Sequence, residues 1–183
     1  MDAARSHAEV AAAFTDRVLG VQPGGWEAPA PVEGWTACDV VGHLVMWFPG
    51  FLEAGAGVSL PAGPPVQTDP VAAWLCQRDA VQQLLDDPET RDRTLVDPHL
   101  GTLPLAEAVD RFYVADVFMH TWDLARATGQ DETLDPVRCD ELYRGLLPLD
   151  GVLRASGQYG PRVDVPEDAD IQTKLLGFIG RRP

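Results

Sequence analysis

Asp116 and His120 stand four residues apart in the run Asp116-Val117-Phe118-Met119-His120, inside a longer segment whose apolar residues recur at helical spacing. On an α-helix this separation stacks the two side chains on one face, about 6 Å apart along the axis. One helix then offers an oxygen and a nitrogen donor side by side. His43 lies among Val40, Leu44, Trp47 and Phe51, on the apolar stripe of a second helical segment. A carboxylate in a bundle core is costly unless paired or coordinated, and inward-facing His and carboxylate side chains on facing helices are how bundles build metal sites. Spacing alone leaves two readings open: a divalent metal held by His43, Asp116 and His120, or a buried ion pair between Asp116 and a histidine.

Other residues are candidates for supporting parts. Asp123, three residues beyond His120, can accept a hydrogen bond from its ring, pair with Arg126 or stay in solvent. Tyr113 and Asp123 are the candidates to manage protons. Arg78, Arg111 and Arg126 are candidates to bind a carboxylate of a substrate or cofactor, or else form surface pairs. His99, in the loop Asp97-Pro98-His99-Leu100-Gly101, is placed to approach an open metal position or to remain exposed. Trp47, Phe112, Tyr113 and Trp122 read as pocket walls or as core. Cys38 precedes His43 by five residues, about 140° round a helix, so it falls outside the ligand set and reads as a structural thiol.

The elements that must position these groups are helical. Val10, Phe14, Val18 and Leu19 mark a helix over 2–19 that stops at Gly20. After a Pro-rich connector, Thr36 with Asp39 resembles a capping box, which predicts a second helix from Ala37 to about Ala54. A Gly/Pro-rich loop over 55–65 is long enough to cross a bundle end, and Asp69-Pro70 opens a third helix that runs to Asp87. An extended turn is expected over 94–103. The fourth helix is predicted from Pro104 to Thr128, with Leu105, Val109, Phe112, Tyr113, Asp116, Met119, His120, Leu124 and Ala127 facing inward and Gly129 at its end. Beyond it, helices near 136–146 and 148–156 and a last one carrying Ile171, Leu175, Leu176 and Phe178 read as a C-terminal cap (130–183) on a single domain (1–183). The predicted class is an all-α four-helix bundle.

Composition narrows the function. Asp plus Glu number 28 against 14 for Lys plus Arg, a net charge of -14, so a polyphosphate partner is repelled over most of the surface and nucleic-acid binding is not expected. No run approaches the roughly 18 apolar residues of a membrane span, and the N-terminus lacks the pattern of a signal peptide. Cys38, Cys76 and Cys139 are odd in number and widely spaced, as where thiols stay reduced, and a cytoplasmic monomer or homodimer acting on a small molecule is expected. The acidic run 86–92 lacks EF-hand spacing and reads as a solvated helix end. Lys174 is the only lysine beside 13 arginines, a bias of GC-rich genomes.

Two segments carry a resemblance. Gly34-Trp35-Thr36-Ala37-Cys38-Asp39-Val40-Val41-Gly42-His43-Leu44 resembles the first ligand motif of the DinB-like superfamily, in its actinobacterial branch related to mycothiol-dependent maleylpyruvate isomerase, and the run from Asp116 to Gly129 resembles the second. The closing segments, 155–161 and 176–183, are similar to the tail of a largely uncharacterised subgroup of that branch. The resemblance implies an up-down-down-up four-helix bundle with His43, Asp116 and His120 as ligands of one divalent metal. Zinc leads, with iron, nickel and manganese as alternatives, since two histidines and a carboxylate suit several metals. It also implies a low-molecular-weight thiol, mycothiol, as co-substrate of a transferase or isomerase. A stress or sensor bundle that binds metal without catalysis, and a non-haem Fe(II) enzyme, are the rival expectations. This chain departs from the isomerase in having Asp116 for a Glu, one methylene shorter. The last roughly 50 residues are not expected to supply the isomerase's second α/β domain, so maleylpyruvate isomerisation itself is not the expected reaction.

Overall fold

The computed structural model describes residues 2–98, 101–157 and 159–183. Helix α1 spans Ala3–Gly20 and starts on Asp2, whose side chain accepts from the Ala4 N–H. Helix α2 spans Ala37–Ala56, and its start has the expected capping box: the Thr36 hydroxyl accepts from the Asp39 N–H while the Asp39 carboxylate accepts from the Thr36 N–H. It outlasts the predicted end by one half-turn, because Gly57 at φ 63° supplies the left-handed residue that closes it. Pro49 sits within α2 and has no N–H to give the Val45 carbonyl one turn back. Helix α3, Pro70–Asp86, is capped by Asp69, which accepts from the Ala72 N–H at 2.9 Å.

The expected turn is a two-stranded antiparallel hairpin of β1 (Thr94–Asp97) and β2 (Gly101–Pro104), in register from Thr94 with Pro104 to Asp97 with Gly101. His99 lies outside the described residues. Helix α4 covers 105–128 and differs from the prediction in its middle. Leu105–Ala108 and Ala115–Thr128 are α-helical, but Val109–Val114 winds as a π-helix. The wider turn shifts the inward face by part of a turn. Phe112, predicted in the core, is therefore half-exposed, whereas Tyr113 and Val114 are both buried and every side chain from Val117 to Ala125 is buried.

Helix α1 packs on α3 and α4, and α2 packs on the same two, which closes a four-helix ring. Its interior is filled by Phe14, Leu44, Phe48, Leu52, Trp74, Tyr113 and Trp122, each at most 1% exposed. Trp74 meets Phe14 edge-on at 4.5 Å and gives its indole N–H to the Thr15 hydroxyl, so the polar end of a buried indole is satisfied. This is the all-α, DinB-like bundle that the sequence implies, and it accounts for residues 1–131, one of two compact units.

The second unit, 132–183, holds α5 (Pro136–Leu146), a 3-10 turn at Leu147–Leu149, α6 (Asp150–Ala155) and α7 (Ile171–Phe178). Helices α5 and α7 pack together, with Tyr143 edge-on to Phe178. Gln172 ties α7 back to the chain through the Leu134 N–H and the Glu132 carbonyl, and Arg154 donates to the Gly160 and Phe178 carbonyls. Among the described residues, no helix is long and apolar enough to cross a membrane.

Candidate metal centre

The four-residue spacing on α4 survives because the π-turn ends before Asp116, so Asp116 and His120 share one regular α-helical face. His43 reaches them from α2. Its Nε2 lies 2.8 Å from Asp116 Oδ2, and His120 Nε2 lies 3.4 Å from Asp116 Oδ1. The donor atoms of the three residues all fall within 4.8 Å of one another. A metal held at about 2.0–2.2 Å from each donor needs them roughly 3–4 Å apart, which the separations of 2.8 Å, 3.4 Å and at most 4.8 Å here bracket. The donor set therefore fits a divalent cation.

The surroundings fix each donor. His120 is 5% exposed, and its Nδ1 lies 2.8 Å from Oδ2 of Asp123, which is 0% exposed. That contact locks the ring so that Nε2 faces Asp116, the arrangement in which a carboxylate orients a metal-binding histidine. The indole N–H of Trp47 donates to Asp116 Oδ2 at 3.0 Å and steadies the carboxylate. Trp35 stacks on His120 at 5.7 Å and leans over His43 at 5.1 Å. It is held there by its connector, which pairs Pro29 with Thr36 and joins the Ala30 N–H to the Trp35 carbonyl.

Electrostatics follow from this packing. Burial works against ionisation of Asp116, but the His120 charge and hydrogen bonds from both histidines outweigh it and hold the carboxyl far below its usual range. Burial likewise opposes a charged His120, and Asp116 and Asp123 overcome it, lifting the ring from 6.5 to about 9.

The other sequence candidates are placed apart from this cluster or in lesser parts. Asp123 is buried rather than solvated. Tyr113 is fully buried, stacked on Phe48 at 4.1 Å, with its hydroxyl against the Gln77 side chain; burial pushes its pKa strongly upward. Arg78 pairs with its neighbour Asp79, Arg111 lies over Phe112, and Arg126 lies over Trp122 at 4.7 Å. Trp122 is core, while Trp47 belongs to the site. Cys38 is half-buried, its Sγ 3.8 Å from the Val66 carbonyl, away from the ligands as its helical angle required. The parts played by Trp35 and the Trp47 N–H were missed by sequence reading. Trp35 sits before the cap, outside any helical pattern, and only its place beside Thr36 in the first motif pointed to it.

Comparison with known proteins bears on the same residues. Residues 7–125 match the family model described as mycothiol maleylpyruvate isomerase N-terminal domain, a span that includes His43, Asp116 and His120. Two relatives from Mycobacterium tuberculosis, the uncharacterized proteins MT0763 (strain CDC 1551 / Oshkosh) and Rv0738 (strain ATCC 25618 / H37Rv), are each 28% identical over 188 residues. Each alignment covers 99% of this chain and 98% of the relative. No solved structure matches the chain.

Proposed function

The chain belongs to the mycothiol maleylpyruvate isomerase N-terminal domain family, and from that premise we propose that it is a divalent-metal-dependent transferase or isomerase using a low-molecular-weight thiol on a small electrophile. The observation that carries the reading is the convergence of His43, Asp116 and His120 from two helices, with donor atoms within 4.8 Å and the far nitrogen of His120 locked by Asp123. His43 Nε2, a carboxylate oxygen of Asp116 and His120 Nε2 hold the metal, zinc by preference, in the manner of an open site with three protein ligands. When bound, such a cation supplies the charge that keeps a coordinating thiol deprotonated near neutral pH.

The chain's own residues supply the rest. Asp123 is a positioning residue: it orients His120 and balances its charge. Trp47 keeps Asp116 from swinging away, and Trp35 covers one side of the histidine pair and limits water there. Burial keeps the Tyr113 hydroxyl protonated, so it is able to donate and not to act as a base. Mycothiol is the thiol that the family's name suggests.

A second reading has its own observation. His43 and Asp116 already close a 2.8 Å contact, so the cluster can tie α2 to α4 in a binding or sensor bundle without chemistry. Cobalt substitution separates the two readings. Addition of a millimolar low-molecular-weight thiol to the cobalt-loaded protein is expected to add a sulfur-to-metal charge-transfer band. A spectrum unchanged by thiol favours the non-catalytic bundle.

A further inference from the structure

Three half-buried rings continue the metal centre along the seam between α2 and α4. Trp47, whose ring centre lies 6.2 Å from that of His43, meets Phe51 at 5.7 Å, and Phe51 meets Phe112 of α4 edge-on at 5.9 Å. Beneath them Phe48 and Tyr113 are fully buried and stacked on each other, so the outer rings rest on a filled core. The strip ends at Arg111, whose guanidinium carbon lies 5.5 Å from the Phe112 ring centre.

The π-turn makes this arrangement. Its hydrogen bond from the Ala115 N–H to the Asp110 carbonyl spans five residues, so each residue there advances by about 80° instead of about 100°. In an unbroken α-helix Arg111 would stand about 140° round from Asp116, turned away from the ligands. The wider turn leaves it about 90° away and brings Phe112 onto the Asp116 face, one turn before it. Such turns are frequent at functional sites.

Arg111 is exposed, and among the described residues no carboxylate pairs with it, although the chain has 28 Asp and Glu against 14 Lys and Arg. Adjacent Asp110 turns its Oδ1 into the interior, where it has no hydrogen-bond partner among the described residues. Arg78, by contrast, is bonded to Asp79. An aromatic strip with a metal site at one end and an unpaired guanidinium at the other suits a flat apolar body with an anionic end, since rings stack and the planar fork takes a carboxylate.

We propose that the electrophile of the reaction above is a small aromatic carboxylic acid, its ring laid on Trp47, Phe51 and Phe112 and its carboxylate held by Arg111. The occupant's part as electrophile rests on that reaction, whereas its binding requires neither thiol nor metal.

The probes are hydrocinnamate and its neutral amide, each titrated without thiol into isotope-labelled protein and followed by the Trp47 indole N–H and the backbone amides of Arg111 and Phe112. Saturable millimolar binding of the acid is expected in zinc and in chelator alike, with the amide about fivefold to tenfold weaker. Arg111→Gln is expected to reduce the acid to the amide's affinity and to leave the amide unchanged. Phe112→Ala is expected to weaken both probes in a bundle that stays folded, since that ring is half-exposed. The proposal is overturned if the acid does not saturate, if acid and amide bind wild type alike, if Arg111→Gln leaves the acid unchanged, or if Phe112→Ala spares both. Binding lost in chelator and indifferent to Arg111 would put the carboxylate on the metal and would equally overturn it. The cobalt experiment keeps the two claims apart. A thiol-dependent band without aryl-acid binding overturns this site and leaves the reaction standing, while binding through Arg111 without that band upholds the site and withdraws only the occupant's part as electrophile.

Discussion

Asp123 decides which nitrogen of His120 faces Asp116, and it does so from a position with no solvent at all. Asp123→Asn keeps a hydrogen-bond acceptor but removes the charge that helps hold the ring cationic, so it separates orientation from electrostatics. Metal affinity of this variant, measured by competition with a chromophoric chelator, is expected to fall about tenfold or more, as for other carboxylates behind metal-bound histidines. Protons compete for the same nitrogen. His120 titrates at about 9 in the metal-free protein against an ordinary 6.5. Its raised value stabilises the fold fully below about 6.5 and loses that contribution as pH rises through about 9; Asp116, depressed instead, contributes above its usual range and loses it toward strong acid. The metal requires the neutral ring. Affinity is therefore expected to climb about tenfold per pH unit up to about 9 and to level off above it. The thermal midpoint of the chelated protein should decline between about 6.5 and 9.

At the scale of elements, the start of α2 is what aims His43. Thr36→Ala removes the hydroxyl of the capping box and is expected to cost about 0.5–2 kcal/mol in urea unfolding with an unchanged m-value, while metal bound per folded molecule stays the same. This cap was legible because Thr36 and Asp39 are local partners, and the same holds for Asp69 at α3 and for the pair Asp116 and His120. All of them depend on short-range spacing that a sequence displays directly. Asp123 was legible for the same reason, being one helical step from His120. Trp35, the Trp47 N–H and the π-turn were not. Trp35 is placed by a connector that folds back through the Pro29 bridge to Thr36, and the π-turn replaces a pattern that reads equally well as α-helix. The Trp47 contact with Asp116 joins residues 69 apart in the chain, and no local period encodes it.

For the molecule as a whole, the bundle's interior is apolar and filled, so helix association does not depend on the site. Burying each of its large side chains is worth about 1.5–3 kcal/mol, and a ligand that prefers the native state adds stability by mass action. Chelation is expected to lower the thermal midpoint by several degrees and to leave the helical circular dichroism at room temperature nearly unchanged; loss of helicity would mean that metal binding is itself the folding step. The net charge of -14 favours cations near the surface, so non-specific metal must be removed before any site is counted. The decisive measurement is metal content by inductively coupled plasma mass spectrometry after zinc loading and extensive dialysis, on wild type, His43→Ala, Asp116→Ala and His120→Ala, each first confirmed to be folded. The account predicts about one zinc per wild-type chain and a fall to background in all three variants. Equal, substoichiometric metal in the four proteins would contradict it and leave the three residues as a buried polar clasp between α2 and α4.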